Sequence, residues 1–393
     1  MAVTLQAILN TAYPAYAATH RLLLHIHKAV SVLRRCRSGG LGRHAVKCTN
    51  GHLVDVRRNS CRHRACPQCG WRQAEQWLAR WQARLLPTTH FHVIVTFASQ
   101  LHPLWRWNRK RFADVLFQAT RDALFELLAQ ERHLGARPGV LMGLHTWGSA
   151  LPLHPHLHCL VTAGGVGADG RWVATRPNFL IWGPILRDVF RAKLRAALAA
   201  LLDQGHLSLP PTLTVAGMRA LLVETTHTAW HVRIGPPYAD GRGLVVYLAR
   251  YLRGGPIKNH RLVHFTGTDV GFRCRDRPHP KWRTMTLPVE KFLDRLFQHV
   301  PVPGLQMVRA YGLYSRHQGA ALQHCRLQLH PGWQEPPPAP TTPDRCPRCG
   351  AALIVVVSRT PCAARQRPQK PTGPGPPGFG MSNQRWSRRR GVA

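Results

Sequence analysis

Acidic residues are scarce in this sequence. Asp and Glu number 17 among 393 residues, against 54 Lys and Arg, for a formal charge of +37. So few carboxylates disfavour mechanisms that need many of them. The imbalance argues against a typical metabolic enzyme and points to a polyanion partner, nucleic acid first. No run reaches the ~18 uninterrupted apolar residues that suggest a membrane span, so no membrane partner is expected. No GxxxxGKS or GxxxxGKT loop is present to cradle nucleotide phosphates, and no small-molecule cofactor is expected. The opening MAVTLQAILNTAYPAYAATHRLLLHIHKAV lacks a basic start, a short apolar core and a cleavage site. It reads as a helical beginning and not as a signal peptide.

What is present suffices for real cores, since 44% of residues are hydrophobic. The length suggests two or three domains at ~150 residues each. Eleven cysteines, an odd number, include two CPxCG units. Without an export signal they read as thiolate metal sites in a reducing compartment, which places the protein in the cytoplasm, associated with the nucleoid.

Periodicity divides the chain. Helical stretches flank a Cys- and Arg-rich middle in the first block, and WRQAEQWLARWQARLLP (71–87) is helical. HFHVIVTF (90–97), VLMGLHTWG (140–148), HLHCLVTAGG (156–165) and HVRIGPPY (231–238) read as strands. Between and after them, residues 111–131, 179–205 and 243–254 read as helices. RLVHFT, VGFRCRD and RTMTL are short strands, and PVEKFLDRLFQHV (288–300) is a helix. The expected domains are 1–87, 88–265, 266–331 and 332–393. The last holds a Pro-rich linker, a partial zinc knuckle and a basic tail that should be disordered in isolation.

Two constellations carry chemistry. In LHPHLHCLVTAGG, His154, His156 and His158 share one strand face, with His156 and His158 ~6.5 Å apart. Two imidazoles on one face can bind a divalent cation. The third ligand could be His154, another side chain or a scissile phosphate. With 24 histidines in the chain, the pair alone is no better than a chance cluster. In GLVVYLARYLRGGPIKNHR, Tyr247 and Tyr251 stand at i,i+4 on one helical face, while Leu244, Leu248 and Leu252 face inward. Arg250, Arg253, Lys258 and Arg261 make the surroundings electropositive. A phenol can attack a phosphodiester when cations lower its pKa or a base removes its proton. Alone, such a pair is more often a packing unit.

Cys66 and Cys69 form a knuckle that Cys48 and Cys61 can complete as a four-thiolate structural zinc site. Arg57, Arg58, Arg62 and Arg64 would then sit on a stiff surface as phosphate contacts; a solvated basic face is the plainer reading for about half of them. Cys346 and Cys349 form a second knuckle, with Cys362 as a possible third ligand and no evident fourth. Cys36, Cys159, Cys274 and Cys325 read as packing residues.

Taken together, HLHCLVTAGG, VVYLARYLRGGPIKNHRLVHF, MTLPVEKFLDRLFQHVPVPGLQMVRAYGLYS and SCRHRACPQCG resemble rolling-circle insertion-sequence transposases. These are the two-tyrosine HUH transposases of the insertion sequence ninety-one family, and the resemblance covers roughly residues 20–330. It implies that His156 and His158 hold a catalytic Mg or Mn ion and that Tyr247 and Tyr251 are the nucleophiles. The partner is single-stranded DNA at element ends and target, cut and joined through 5′-phosphotyrosine links. It also implies an α+β fold: an HUH-type antiparallel sheet of about four or five strands with helices on one side, preceded by a helical zinc-binding domain. His92 matches a position often His in such proteins, a third-ligand or DNA-contact candidate. The family has a CxxCG unit where this chain has Cys48-Thr49-Asn50-Gly51-His52, so one cysteine is missing; Cys61 is the replacement and His52 the alternative.

Other readings fare less well. A carboxylate recombinase would need acids at matching strand positions. A relaxase usually places its tyrosine before the histidines. A rolling-circle replication initiator shares the chemistry, and the zinc block argues against it. A non-catalytic zinc-ribbon DNA-binding protein would have no reason to bring the tyrosines beside the histidines.

Overall fold

The computed structural model describes residues 3–252, 255–275, 281–334 and 345–356; the side chains of Arg72, Arg250, Tyr251, Leu252 and Val356 lie outside that description. The chain opens with α1 (Leu5–Thr19) and α2 (Leu24–Arg34). The Thr4 hydroxyl caps α1 by accepting from the Ala7 amide, 3.1 Å. Leu5, Ile8, Leu9, Ala12, Tyr13 and Tyr16 form its buried stripe. A hairpin follows, β1 (Arg43–Cys48) and β2 (Leu53–Arg58), then α3 (Gly70–Arg84). The hairpin occupies the Cys- and Arg-rich middle between the expected helical stretches, where no strand was expected. Most of β2 is exposed, so it carries no apolar/polar alternation for a reader of sequence to find.

The central segment runs β3 (His90–Thr96), α4 (His102–Trp107), α5 (Arg109–Leu128), β4 (Arg137–Trp147), β5 (Leu153–Val166) and β6 (Trp172–Ala174). It continues with α6 (Gly183–Asp203), α7 (Val215–Glu224), β7 (His231–Ile234) and α8 (Arg242–Leu252). The last part holds β8 (Leu262–Phe265), β9 (Asp269–Arg275), β10 (Trp282–Pro288), α9 (Val289–Phe297), β11 (Val308–Gly312), α10 (Gly319–Leu329) and β12 (Leu353–Val356).

The fold is mixed α and β with antiparallel sheets. The main sheet has six strands in the order β11-β4-β5-β3-β7, with β6 paired to β5. Smaller sheets order as β10-β9-β8 and β12-β1-β2. Strands β4 and β5 are buried almost throughout, which requires cover on both faces. On one face Arg309 of β11 pairs with Asp114 and lies over the Phe117 ring of α5, and α6 packs on α5. The other face carries α8: an added Cβ at Gly143 would lie 3.2 Å from Leu248, so a larger residue there would push the helix away. Helices thus lie on both faces, where one side was expected.

Two apolar cores are present among the described residues. One joins the main sheet, α5, α6 and α8 with residues 305–325. The other joins α1, α2 and the knuckle with β9 and α9 through Leu5, Ile8, Phe272, Phe292 and Phe297. The 266–331 range is therefore shared between them.

Candidate functional site

Strand register assembles the histidines. His145 on β4 stands directly opposite His156 on β5, and Gly143 opposite His158. Direct partners share a face, so His145, His156 and His158 converge, and one ring nitrogen from each lies within 4.8 Å of the others. All three are buried. The Nε2 atoms of His156 and His158 are 3.0 Å apart. Their other nitrogens are engaged: His156 Nδ1 with the His154 carbonyl at 2.6 Å and His158 Nδ1 with His92 Nε2 at 2.8 Å. Such bonds fix the tautomer and aim the remaining nitrogen. His154 thus serves through its carbonyl, outside the cluster. His92 serves as the partner of His158.

The rings of His145, His158 and His92 are electrically neutral near pH 7. Burial, and then the neighbouring imidazoles of His156 and His92, hold His145 well below the ordinary histidine value. Burial does the same for His158, with His145 and His156 adding to it. His92 is lowered to about 4 by burial and then by Arg233. Neutral imidazole is the ligating form.

Helix α8 brings Tyr247 to this face. Its ring centroid lies 5.2 Å from that of His158, 6.0 Å from His92 and 6.1 Å from His145. Buried Leu244 and Leu248 seat the helix. α3 packs along it, and the chain after it is pinned at Gly255. That residue has φ +73°, and a Cβ there would sit 2.3 Å from the Ala65 carbonyl oxygen. Its N–H donates to the Arg64 carbonyl at 2.9 Å. Tyr251 belongs to the same helix, but its side chain, like that of Arg250, falls outside the described residues, as does Arg253.

The expected thiolate set is regrouped. Cys61, Cys66 and Cys69 come together with Cys36, not with Cys48. The Cys61–Cys69 and Cys66–Cys36 sulfur separations are both 3.6 Å, close to the ~3.8 Å edge of a tetrahedron with 2.3 Å metal–sulfur bonds. Cys36 follows α2, and Gln6 ties this corner together. Its side-chain amide donates to the Arg34 and Cys36 carbonyls and accepts from Gln68. Cys48 lies instead with His52, Cys346 and Cys349, and Cys362 is outside the described residues.

The basic residues are dispersed. Arg57 and Arg58 are exposed on β2, and Arg57 pairs with Asp55 at 2.6 Å. Arg62 is exposed on the knuckle. Arg64 is half-buried, and burial lowers its guanidinium value. Lys258 is likewise half-buried and lowered by burial. Arg261 is used internally, donating to the Arg273 carbonyl at 2.8 Å and the Ser149 carbonyl at 2.5 Å.

Two residues escaped sequence reasoning. His145 is a single histidine in VLMGLHTWG, and only the β4–β5 register reveals it. Cys36 stands alone in SVLRRCRSGG, with no CxxC spacing to mark it.

Comparison with known proteins bears on this arrangement. Residues 139–321 match the family described as "Putative transposase", and residues 8–97 match the IS91 "Transposase zinc-binding domain". The chain is 34% identical over 335 residues to "Putative transposase y4qJ" of Sinorhizobium fredii (strain NBRC 101917 / NGR234), covering 83% of this chain and 84% of that protein. It is 31% identical over 346 residues to "Transposase for insertion sequence element IS801" of Pseudomonas savastanoi pv. phaseolicola, covering 83% and 82%. No solved structure matches. Among the described residues no helix is long and apolar enough to cross a membrane.

Proposed function

The chain belongs to the IS91 family of transposases, and on that premise we propose that it cuts and rejoins single-stranded DNA through tyrosine, as in rolling-circle transposition. One observation carries the reading: Tyr247 stands over the buried triad of His145, His156 and His158. A protein that only binds DNA has no need of that juxtaposition.

The triad fits a divalent cation. The two Nε2 atoms face one another at 3.0 Å while the other nitrogen of each ring is engaged, so two lone pairs aim at one point. Three imidazoles without a carboxylate favour Mn over Mg, because imidazole is the softer donor. When bound, the ion polarises the scissile phosphate as a Lewis acid.

The protein's residues do the rest. The Tyr247 oxygen loses its proton to solvent and attacks the scissile phosphorus in line. The bond from phosphorus to the 3′ oxygen breaks, and that oxygen takes up a proton to leave as a free 3′-hydroxyl. The 5′-phosphate stays on tyrosine, so the phosphodiester energy is kept. A 3′-hydroxyl later reverses the exchange on another strand, with Tyr251 as the second nucleophile in this reading. Arg57, Arg58 and Arg62, with Arg250 and Arg253, would hold backbone phosphates. Arg64, Lys258 and Arg261 are weaker candidates, since the first two are half-buried and the third is bonded within the fold. Binding should then weaken with salt by roughly 0.7 log units per log unit for each phosphate contact on single strands.

The test is a covalent protein–DNA band on a denaturing gel, using single-stranded oligonucleotides from the element's own ends with Mn. The band should vanish in Tyr247→Phe/Tyr251→Phe and in His156→Ala/His158→Ala. An undiminished band in the double tyrosine variant would overturn the reading. A wild type that binds but never forms the band would favour the zinc-ribbon binder.

A further inference from the structure

Cys48, His52, Cys346 and Cys349 form a second four-ligand cluster, remote in sequence and separate from the Cys36 cluster. Their donor atoms all lie within 4.8 Å of one another. Cys48 ends β1, and His52 closes the hairpin turn, where the Gly51 amide donates to the Cys48 carbonyl at 2.9 Å. Cys346 and Cys349 sit on the turn before β12, where the Gly350 amide donates to the Cys346 carbonyl at 2.9 Å. The two turns face one another. Cys48 and Cys349 sulfurs are 3.7 Å apart, and Cys346 sulfur is 3.9 Å from His52 Nδ1. The first matches a tetrahedral edge of ~3.8 Å and is far beyond the ~2.05 Å of a disulfide. The His52 amide and the Asn50 side-chain amide donate to Cys48 and Cys349 sulfur, at 3.3 and 3.6 Å. Such donors offset negative charge on a thiolate.

We infer that these residues bind a second structural zinc ion, in a site split between the N-terminal hairpin and a segment about three hundred residues away. Three thiolates and one imidazole form a common structural zinc set, and the softness of sulfur selects against Mg and Ca. An independent observation points the same way. β12 pairs with β1 at Cys48↔Leu353 through Ala45↔Val356, yet little apolar surface holds it there. Ile354 and Val355 are 46% and 62% exposed, and Leu53 and Val56 across the sheet are 53% and 49% exposed. A four-residue strand so poorly covered is not held by burial, since even full burial stabilises by only about 1.5–3 kcal/mol per large side chain. A shared metal supplies the missing attachment. The zinc-binding match spans residues 8–97 and so contains only half of this ligand set. The knuckle at Cys346 and Cys349, which lacks a fourth ligand within its own segment, finds two in the hairpin.

The inference is independent of the phosphotyrosine reading, and its test does not use DNA. Full-length protein is counted for zinc by mass spectrometry after exhaustive dialysis. It is then exchanged with Co(II) to read thiolate-to-metal absorption. Cys346→Ser/Cys349→Ser should lose one zinc equivalent relative to wild type, and His52→Ala should weaken retention while His52→Cys keeps it. The histidine site is common to all these proteins and cancels in the differences. In wild type itself, seven thiolates should contribute to the cobalt absorption, four from one cluster and three from the other. An unchanged zinc count in the double cysteine variant, or wild-type absorption accounting for only four thiolates, would overturn the inference.

Discussion

The histidine site and the cysteine clusters are built in opposite ways. The histidines sit on two adjacent strands of a buried sheet, and register alone brings His145 opposite His156. Hydrogen bonds from Nδ1 finish the arrangement. The cysteines come from turns and a helix end: Cys36 after α2, and Cys61, Cys66 and Cys69 from the knuckle. In the first case the scaffold alone dictates the geometry of the imidazoles. In the second an ion would be part of what makes the geometry, and its binding would then be folding free energy.

The largest effect should therefore separate stability from activity. Cys61→Ser/Cys66→Ser should cost several kcal/mol, a fall of roughly 10 °C or greater in Tm. His156→Ala/His158→Ala should leave Tm within a few degrees while abolishing the covalent band. Calorimetry of the two side by side decides; equal falls in Tm would erase the distinction.

Acid should press on the scaffold side of the comparison. His299 is buried, bonded to the Leu151 carbonyl and Thr146 hydroxyl at 3.1 and 3.2 Å. Burial holds it at about 4, with Leu151 opposing and Arg109 adding to the drop. Above the ordinary value near 6.5 both folded and unfolded chains leave it neutral. As pH falls from 6.5 to 4 only the unfolded chain takes up the proton, so stability declines by up to about 3 kcal/mol. In His299→Gln, urea melts at pH 7 and pH 4.5 should differ by correspondingly less than in wild type. Identical differences would count against the assignment.

His92→Ala should lower Mn affinity or adduct formation by roughly 10- to 100-fold, the usual effect of removing the partner of a ligand. His92→Gln, which can still accept from His158 Nδ1, should recover part of it. A purely packing role would show no such rescue.

The smallest expected effect on adduct formation joins the two regions. Gly255→Ala would strain a positive φ and drive a Cβ into the Ala65 carbonyl, so the backbone must shift and the cost exceeds the ~1 kcal/mol of a compatible position. If the knuckle positions the tyrosine helix, adduct yield should fall while zinc content stays constant. Unchanged yield would mean that α3 and the sheet hold α8 by themselves.

Legibility in the sequence followed burial. α3, α5, α6 and α8, and strands β3 to β5, were visible because amphipathic or apolar spacing marks elements that face a core. The β1–β2 hairpin was not, since most of its second strand faces solvent. Tyr247 and the pair His156 and His158 could be singled out as candidates because each motif is local. His145 and Cys36 were not, because their relation to the site exists only after strands pair and α2 docks. The grouping of Cys48 failed for the same reason: proximity in the chain favoured Cys61, while the fold brings it to Cys349.

The β1–β12 pairing also has a consequence in time. Cys349 is made 301 residues after Cys48, which at about 5–20 residues per second is roughly 15–60 s of synthesis. Throughout that interval the hairpin presents an open edge and two donors awaiting partners, the kind of edge that invites association with other chains. A product ending early would keep that edge permanently, so an interrupted copy would differ from a finished one in how readily it aggregates, before any question of DNA arises.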